Sequence, residues 1–479
     1  MNKYKTLAMN TAVFAIGSFT SKLLAFLLTR LYTANLDRSL FNTKEILELC
    51  ANFLIPVVSF SITDAIIRYG LDKNYEKRAV FSNAVTVVIA GSAGFAVLSP
   101  LLLIFSDIRP YVLLLVGYII ISCFRQISTQ FARARGFVKL FALDGIMCTF
   151  TLFLFNIIFI AWLKLGISGF LLSVMLSDLC SAVSVWWIAQ HGRYYSRRYI
   201  DKELLLVMLR FSVPLIPAAL MWIITGFSDR IFIRVIMSPE DGGLYGAASK
   251  IPNLISMVSM VFYQAWNMSA IAENDSKERS EFYTKVYDAY QAIMFLAAGG
   301  IIALDMQLSH ILIDTSEDPG YALAYLYTPV LVIAVLFMCL NQFLACIYTV
   351  TKHTKNSLWT SVVAAVLNLF LNAFLIPVYG IDGAIYATLL SYVVCYLVRI
   401  VDARRFVPFR INHGRFIVNT LVLFAMCRFI SKPELLGRGA DMGTRIFTFL
   451  ELSVFLVILL LINMKPLLET VKKILRRRG

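Results

Sequence analysis

The chain has 479 residues, of which 59% are hydrophobic and 15% charged. A soluble domain carries about 25% charged residues, so a water-soluble globular protein is excluded. Lys and Arg number 44 against 29 Asp and Glu, a formal net charge of +15, but the excess is spread over successive short links, which argues against nucleic acid as a partner.

Apolar runs of about twenty residues, the length that crosses a bilayer as a helix, recur from end to end. About fourteen spans are predicted, over 8–32, 46–67, 79–105, 110–132, 138–163, 167–190, 207–236, 243–270, 284–313, 321–350, 357–378, 381–401, 416–430 and 446–464. The first is long and lacks a small-residue cleavage site, so it reads as a span and not as a removed signal. The links are short and leave no extramembrane domain for a nucleotide or a glycosyl-transfer site. With the N-terminus in the cytoplasm, roughly 29 Lys and Arg fall on inner links and roughly 7 on outer ones. This predicts both termini inside, and the basic tail ending in Arg476–Arg478 reads as contact with anionic lipid headgroups. The eight cysteines (50, 123, 148, 180, 339, 346, 395, 427) lie in or at the ends of apolar runs without a C-x-x-C pair. They read as small buried residues, neither disulfides nor metal ligands.

An internal repeat of about 215 residues is legible. Arg125-Gln126, Lys139 and Gly166-Ile-Ser-Gly169 recur as Asn341-Gln342, Lys355 and Gly380-Ile-Asp-Gly383, and Ser21-Lys22 matches Ser228-Asp229. Six spans separate the copies, so the halves run parallel, an arrangement that places a substrate between them. The predicted fold is therefore an all-α polytopic membrane protein. It has a six-helix lobe at 1–200, a second at 201–405, and two extra helices with a basic tail at 406–479. Pro56, Pro214, Pro217, Pro252 and Pro329 fall inside spans, as static kinks or as hinges.

Ionisable residues in hydrocarbon are functional candidates. At 1.5 Å per residue, Lys22 on span 1, Asp229 and Arg230 on span 7 and Lys250 on span 8 converge on the outer half of the bilayer. Arg30 and Arg234 lie further out on the first two of these helices, where they could also snorkel to headgroups. Together the cations predict a cavity suited to phosphate or pyrophosphate; alternatively they form ion pairs stapling the halves. Asp178, near the middle of span 6, is the candidate proton-titrating carboxylate. Asp64 and Arg68, at i and i+4 near the inner end of span 2, are candidates for coupling or gating. Asp144 and Arg125 read as a structural pair. Tyr245, Gln264, Trp266 and Asn267 on span 8 could contact sugar rings or simply pack, and Asn368 and Asn372 are expected to bond across helices. No G-x-x-x-x-G-K-[ST], H-E-x-x-H or Cys/His cluster is present. The four His read as ordinary polar residues, and neither a metal nor a cofactor is expected.

The stretch Gly17-Ser-Phe-Thr-Ser-Lys22-Leu-Leu-Ala-Phe, Ser228-Asp-Arg230-Ile-Phe-Ile, Gly243-Leu-Tyr-Gly-Ala-Ala-Ser-Lys250-Ile-Pro252, Phe262-Tyr-Gln-Ala-Trp266 and Leu367-Asn-Leu-Phe-Leu-Asn372…Gly380-Ile-Asp-Gly383 resembles the Wzx-type polysaccharide flippases of the multidrug/oligosaccharidyl-lipid/polysaccharide exporter superfamily. Leu40-Phe-Asn-Thr43 departs from the acidic-aromatic-Gly turn often found there. The resemblance implies a bacterial cell-membrane flippase of undecaprenyl-diphosphate-linked oligosaccharide, working by alternating access. Its cationic cavity would map to Lys22, Arg230 and Lys250, balanced by Asp229. The expected partners are the lipid-linked oligosaccharide, membrane lipids and other polysaccharide-assembly proteins, with proton or sodium as candidate coupling ion. Three alternatives stand: an ion-coupled multidrug exporter of the same fold, a membrane polysaccharide polymerase or ligase, and a non-transporting scaffold. The short outer links, poor in catalytic residue types, disfavour the enzyme.

Overall fold

The structure is a computed structural model that describes residues 24, 27–72, 74–272, 279–351, 353–430 and 442–476. The described residues form helices: α1 (27–33), α2 (Arg38–Val58), α3 (Ile62–Leu71), α4 (Lys77–Leu98), α5 (Val112–Ala134), α6 (Val138–Asn156), α7 (Gly166–Ile188), α8 (Lys202–Ser212), α9 (Ile216–Ile236), α10 (Pro239–Ala248), α11 (Asn253–Ala272), α12 (Arg279–Ala303), α13 (Asp305–Leu312), α14 (Ala324–Val350), α15 (Thr354–Tyr379), α16 (Ile381–Phe406), α17 (His413–Ile430) and α18 (Met442–Arg476). Among the described residues ten helices are long and apolar enough to cross a membrane, or eleven when α2 and α3 count as one bent span. The protein is an all-α polytopic membrane protein.

Several expected spans are interrupted. Span 2 is not one helix: α2 and α3 meet at 51°. Phe60 and Ser61 at the break have φ of 51° and 48°, and the Ser61 amide donates to the Pro56 carbonyl at 2.9 Å. Span 7 is divided into α8 and α9 by a 3₁₀ turn at Val213–Leu215, which holds Pro214. Span 8 is divided into α10 and α11 by the turn at Ile251-Pro252. Span 9 ends in the separate short helix α13. Pro56 and Pro329 alone among the five noted prolines lie in helix interiors.

The chain divides into two compact units, one running to Ile231 and including Asp314–Asp318, the other comprising Phe232–Ile313 and Pro319 onward. The boundary falls inside α9, and the last two helices belong to the second unit. In the first unit α4 passes close over the break between α2 and α3. A Cβ on Gly91 would overlap the Val58 carbonyl oxygen, so only glycine permits this approach. In the second unit α14 is the central helix: 72% of its apolar window is buried, against 17% for α4. Its Phe343 packs in one cluster with Trp266, Tyr283, Tyr287, Tyr290 and Tyr396, whose rings stack and meet edge-on as aromatic quadrupoles favour.

The repeat has the same local geometry in each unit. Gly166 and Gly380 have φ of 57° and 60° and open α7 and α16. Three residues on, a Cβ at Gly169 would crowd the Phe159 carbonyl and one at Gly383 the Leu375 carbonyl. Each glycine pair therefore turns the chain and seats the new helix against the old one. Asn368 donates to Thr388 across α15 and α16 at 3.1 Å, the cross-helix bonding expected of it, and Asn372 donates to Asn368 within α15 at 3.2 Å. All eight cysteines are free; Cys180, expected to be buried, is exposed.

Candidate functional site

The densest ionic cluster lies in the first unit. Asp37 caps α2, accepting from the Leu40 amide at 2.7 Å, and the following turns carry Lys44, Glu45 and Glu48. Lys44 is only 4% exposed. Its Nζ lies 2.6 Å from Glu48 Oε2 and 3.1 Å from Glu45 Oε1. The ammonium also lies 4.8 Å from the centre of the Tyr32 ring and 4.9 Å from that of Phe170, so two aromatic faces replace part of its lost hydration. Glu45 turns its other oxygen to Arg230 on α9, at 3.2 Å from Nε. Arg230 in turn sits over Phe227, 4.7 Å from the ring centre. Two cations and two carboxylates thus form a chain from α2 to α9, with Glu48 its most exposed member. A buried charge without a partner is strongly unfavourable, and this alternation is what allows four ionised groups to sit among apolar helices.

A second network joins α5, α6 and α7. Arg125 lies 3.5 Å from Asp144 and 3.3 Å from Asp178 and donates from Nε to Ser181 at 2.9 Å. Ser181 donates to Asp144 at 2.5 Å, Ser122 donates to Asp178, and the Cys148 thiol lies 3.7 Å from Asp178. The expected Arg125–Asp144 pair is present, with Asp178 as its third member. Asp178 thus makes polar contacts with two elements, to Arg125 and Ser122 on α5 and to Cys148 on α6.

The segment Asp314–Asp318 is tied to α1 and α2. Arg30 meets Asp314 at 3.3 Å and Arg38 Nε meets Asp318 at 2.8 Å. The Asp314 amide donates to Thr33 at 2.8 Å. Hydrogen bonds from the Ser316 hydroxyl and amide, with Arg30 adding its charge, hold the Asp314 carboxyl below the usual carboxylate range.

The expected site residues are distributed unevenly. Lys22 lies outside the described residues. Asp229 and Arg230 are buried on α9, and Arg234, one turn on, is half-buried. Lys250 is half-buried in the turn between α10 and α11. Arg30 stands at the rim with its side chain 54% exposed. Asp64 and Arg68 are exposed on α3. Tyr245 is buried in α10. Trp266 is packed in the core of the second unit, stacked 4.5 Å from Phe343 and meeting Tyr283 edge-on at 4.8 Å, and has no face to offer a sugar. Gln264 and Asn267 lie on α11, their side chains outside the description. The residues missed from sequence are Lys44 and Glu45, which precede the predicted span start at 46, and Glu48 in its first turn; the signal was the Lys44/Glu48 spacing of i, i+4 on an otherwise apolar helix. The described ion pairs join Lys44 and Arg230 to Glu45 and Glu48. Among the described residues no group of three or more His, Cys, Asp or Glu has the arrangement of a metal site.

Comparison with known proteins places this geometry. Residues 46–315 match the family model for "Polysaccharide biosynthesis protein". A curated uncharacterized membrane protein of Methanocaldococcus jannaschii is 25% identical over 255 residues, 50% of this chain, and the match spans 59% of that relative's length. Among solved structures, the lipid II flippase MurJ in an inward closed conformation superposes with a TM-score of 0.68 at 15% identity, covering 96% of this chain and 99% of that one. An inward-facing multidrug resistance MATE family transporter of the MOP superfamily gives 0.64 at 14% identity, covering 81% and 95%. These likenesses establish that the chain shares the fold of those structures, and the match over residues 46–315 establishes that the chain belongs to the polysaccharide biosynthesis protein family.

Proposed function

We propose that this protein is a flippase that moves an undecaprenyl-diphosphate-linked oligosaccharide from the inner to the outer leaflet of a bacterial cell membrane, for surface polysaccharide synthesis. The observation that carries the reading is the Lys44–Glu45–Glu48–Arg230 chain, of which Glu48 and Arg230 lie inside the family-matched region and Lys44 and Glu45 just before it. Buried ammonium and guanidinium groups already paired to carboxylates can exchange those partners for a diphosphate, which offers more acceptor oxygens of the same charge. The carboxylates hold the cations ionised when the substrate is absent. Arg230 and Lys44 are the direct phosphate contacts. Lys22, Lys250, Arg30 and Arg234 complete the basic set, and Asp229 balances it. The Arg125–Asp178 network, with Asp64 and Arg68, is a candidate for coupling to a proton or sodium gradient. The loops set both termini in the cytoplasm, no catalytic step is assigned to the chain, and other polysaccharide-assembly proteins are its expected neighbours.

A multidrug exporter is the second reading. It is favoured by the same cluster, since Glu45 and Glu48 could receive a cationic drug, and by the fold shared with MATE transporters. Purified protein in proteoliposomes with a fluorescent short-chain diphosphate-linked oligosaccharide separates the two. Flipping by the parent, reduced at least tenfold in Arg230→Gln and Lys44→Met at unchanged reconstitution, supports the flippase. Flipping that survives both changes makes the cluster structural. An inert parent that exchanges a cationic dye for protons supports the exporter.

A further inference from the structure

The outward face of the second unit carries a groove of about 620 Å³ between α15 and α16, lined by Trp359, Val363, Leu397 and Val401 with Asn356 and Arg405 at one end. Its size falls within the roughly 300–1,000 Å³ of small-molecule sites. The apolar walls are open: Trp359 is 68% exposed and Val401 63%, as suits contact with acyl chains. Its polar end is built differently. Asn356 donates to Asp402 at 2.8 Å, and Arg405 lies 3.7 Å from the other Asp402 oxygen with its side chain 73% exposed. Lys355 and Arg404 are exposed beside it.

Behind the groove, against Thr360, lies Arg399, 3% exposed. Its guanidinium donates to Thr360 Oγ1 at 2.9 Å, Asn341 O at 2.8 Å, Ser361 Oγ at 2.8 Å and Ser357 O at 3.3 Å. Every one of these acceptors is neutral. The contrast with the first unit is direct, for there Arg125, its side chain 27% exposed, faces two carboxylates, and the buried Arg230 faces Glu45. The second unit therefore holds this buried guanidinium on neutral acceptors. Around the polar end, Arg399, Arg404, Arg405 and Lys355 stand against Asp402 alone among the carboxylates named here. The N-terminus of α15, which opens at Thr354, has no side-chain cap, and an uncapped helix start presents N–H groups and the positive end of the dipole to an anion.

We propose that this groove binds one anionic glycerophospholipid of the cytoplasmic leaflet. Its phosphate lies at Arg405, Lys355 and the start of α15, and one acyl chain lies along Trp359, Val363 and Val401. Basic recesses between helices on the cytoplasmic side suit anionic headgroups, and a tryptophan at the interface suits the glycerol level. The side of the membrane rests on the orientation set by the basic links; the binding itself does not depend on any transported substrate.

The test is quenching of Trp359 fluorescence in nanodiscs by dibrominated phosphatidylglycerol or by phosphatidylcholine with the same brominated chains, the Trp359 signal being the difference between the parent and Trp359→Phe. The expected result is half-quenching at an about fivefold lower mole fraction of phosphatidylglycerol, with the preference lost in Arg405→Gln/Lys355→Gln. These two side chains are exposed, so the fold does not depend on their charge, and one phosphatidylglycerol retained per parent protein in native mass spectrometry gives an independent readout. Equal quenching by the two lipids means annular contact only and overturns the proposal, as does a preference that persists in the double variant. Displacement of phosphatidylglycerol by substoichiometric undecaprenyl phosphate overturns it as well, assigning the groove to the carrier lipid.

Discussion

Lys44 is held by two carboxylates and two rings, so removing its charge takes the cation from Glu48 and leaves Glu45 with Arg230. Breaking a buried pair on one side costs about 3–5 kcal/mol. Lys44→Met is therefore expected to lower the apparent Tm in detergent markedly, while Lys44→Met/Glu48→Gln, which leaves the Glu45–Arg230 pair intact, recovers most of the loss. A double variant as unstable as the single one would show that packing of the lysine stem, and not charge, is what matters. His191 gives a second residue-scale test. It was read from sequence as an ordinary polar residue, yet it is fully buried beyond the end of α7, among Phe81, Phe131 and Trp186 at 5.1, 5.2 and 5.7 Å between ring centres. Nε2–H donates to the Ser128 carbonyl at 2.9 Å, fixing the neutral tautomer. Burial, with Arg135 adding to it against the opposing pull of the Ser128 hydrogen bond, lowers its pKa from 6.5 to about 4. The unfolded chain takes up the proton first, so the stability tied to neutral His191 is complete above about pH 6.5 and is lost as the pH falls towards 4, a change of about 3 kcal/mol. The apparent Tm of the parent should fall over that window, and His191→Gln should flatten the fall.

At the scale of elements, close approaches decide which helices can pack. Gly91 on α4 rests on the Val58 carbonyl at the break between α2 and α3, whereas a Cβ on Gly94, three residues on in the same helix, would meet nothing within 4 Å. Gly91→Ala is expected to push α4 off the break and cost several kcal/mol, in the range of overpacked cores. Gly94→Ala is expected to be neutral or to gain up to about 1 kcal/mol from helix propensity. Thermal unfolding of the two variants side by side checks this, and equal effects would sink the idea. The break itself was only half legible. Pro56 announced a disturbance, but the left-handed residues Phe60 and Ser61 carry no glycine or asparagine signal, and they hold their conformation because α4 packs over them.

For the whole molecule, the alternation of basic links is a topology statement that labelling can read. Arg197 and Glu317 are exposed in links on opposite sides by that reading. Arg197→Cys is expected to react with an impermeant maleimide only after the cells are permeabilised, and Glu317→Cys in intact cells, each against a cysteine-free background because Cys180 is itself exposed. Labelling of both from outside would overturn the orientation and move the lipid groove to the other leaflet.

The sequence by itself determined that the chain is a multi-helix membrane protein, that its halves repeat and that it resembles the polysaccharide flippases. These follow from quantities local to the chain: run length, composition, charge by link, and glycine pairs such as Gly166/Gly169 and Gly380/Gly383 that act on their nearest neighbours. What only the tertiary structure decided is which charges meet. Arg230 was picked out correctly as a buried cation, but its partner Glu45 is 185 positions away, and spacing along the chain cannot bring α2 to α9. Trp266, a sugar-stacking candidate by type, is spent on Phe343 for the same reason: a ring's neighbours are set by packing between helices. The contrast between Arg125, closed off by two carboxylates, and Arg399, left with neutral acceptors, appears only when the helices of each unit are in place, since each arginine's environment is supplied by helices other than its own.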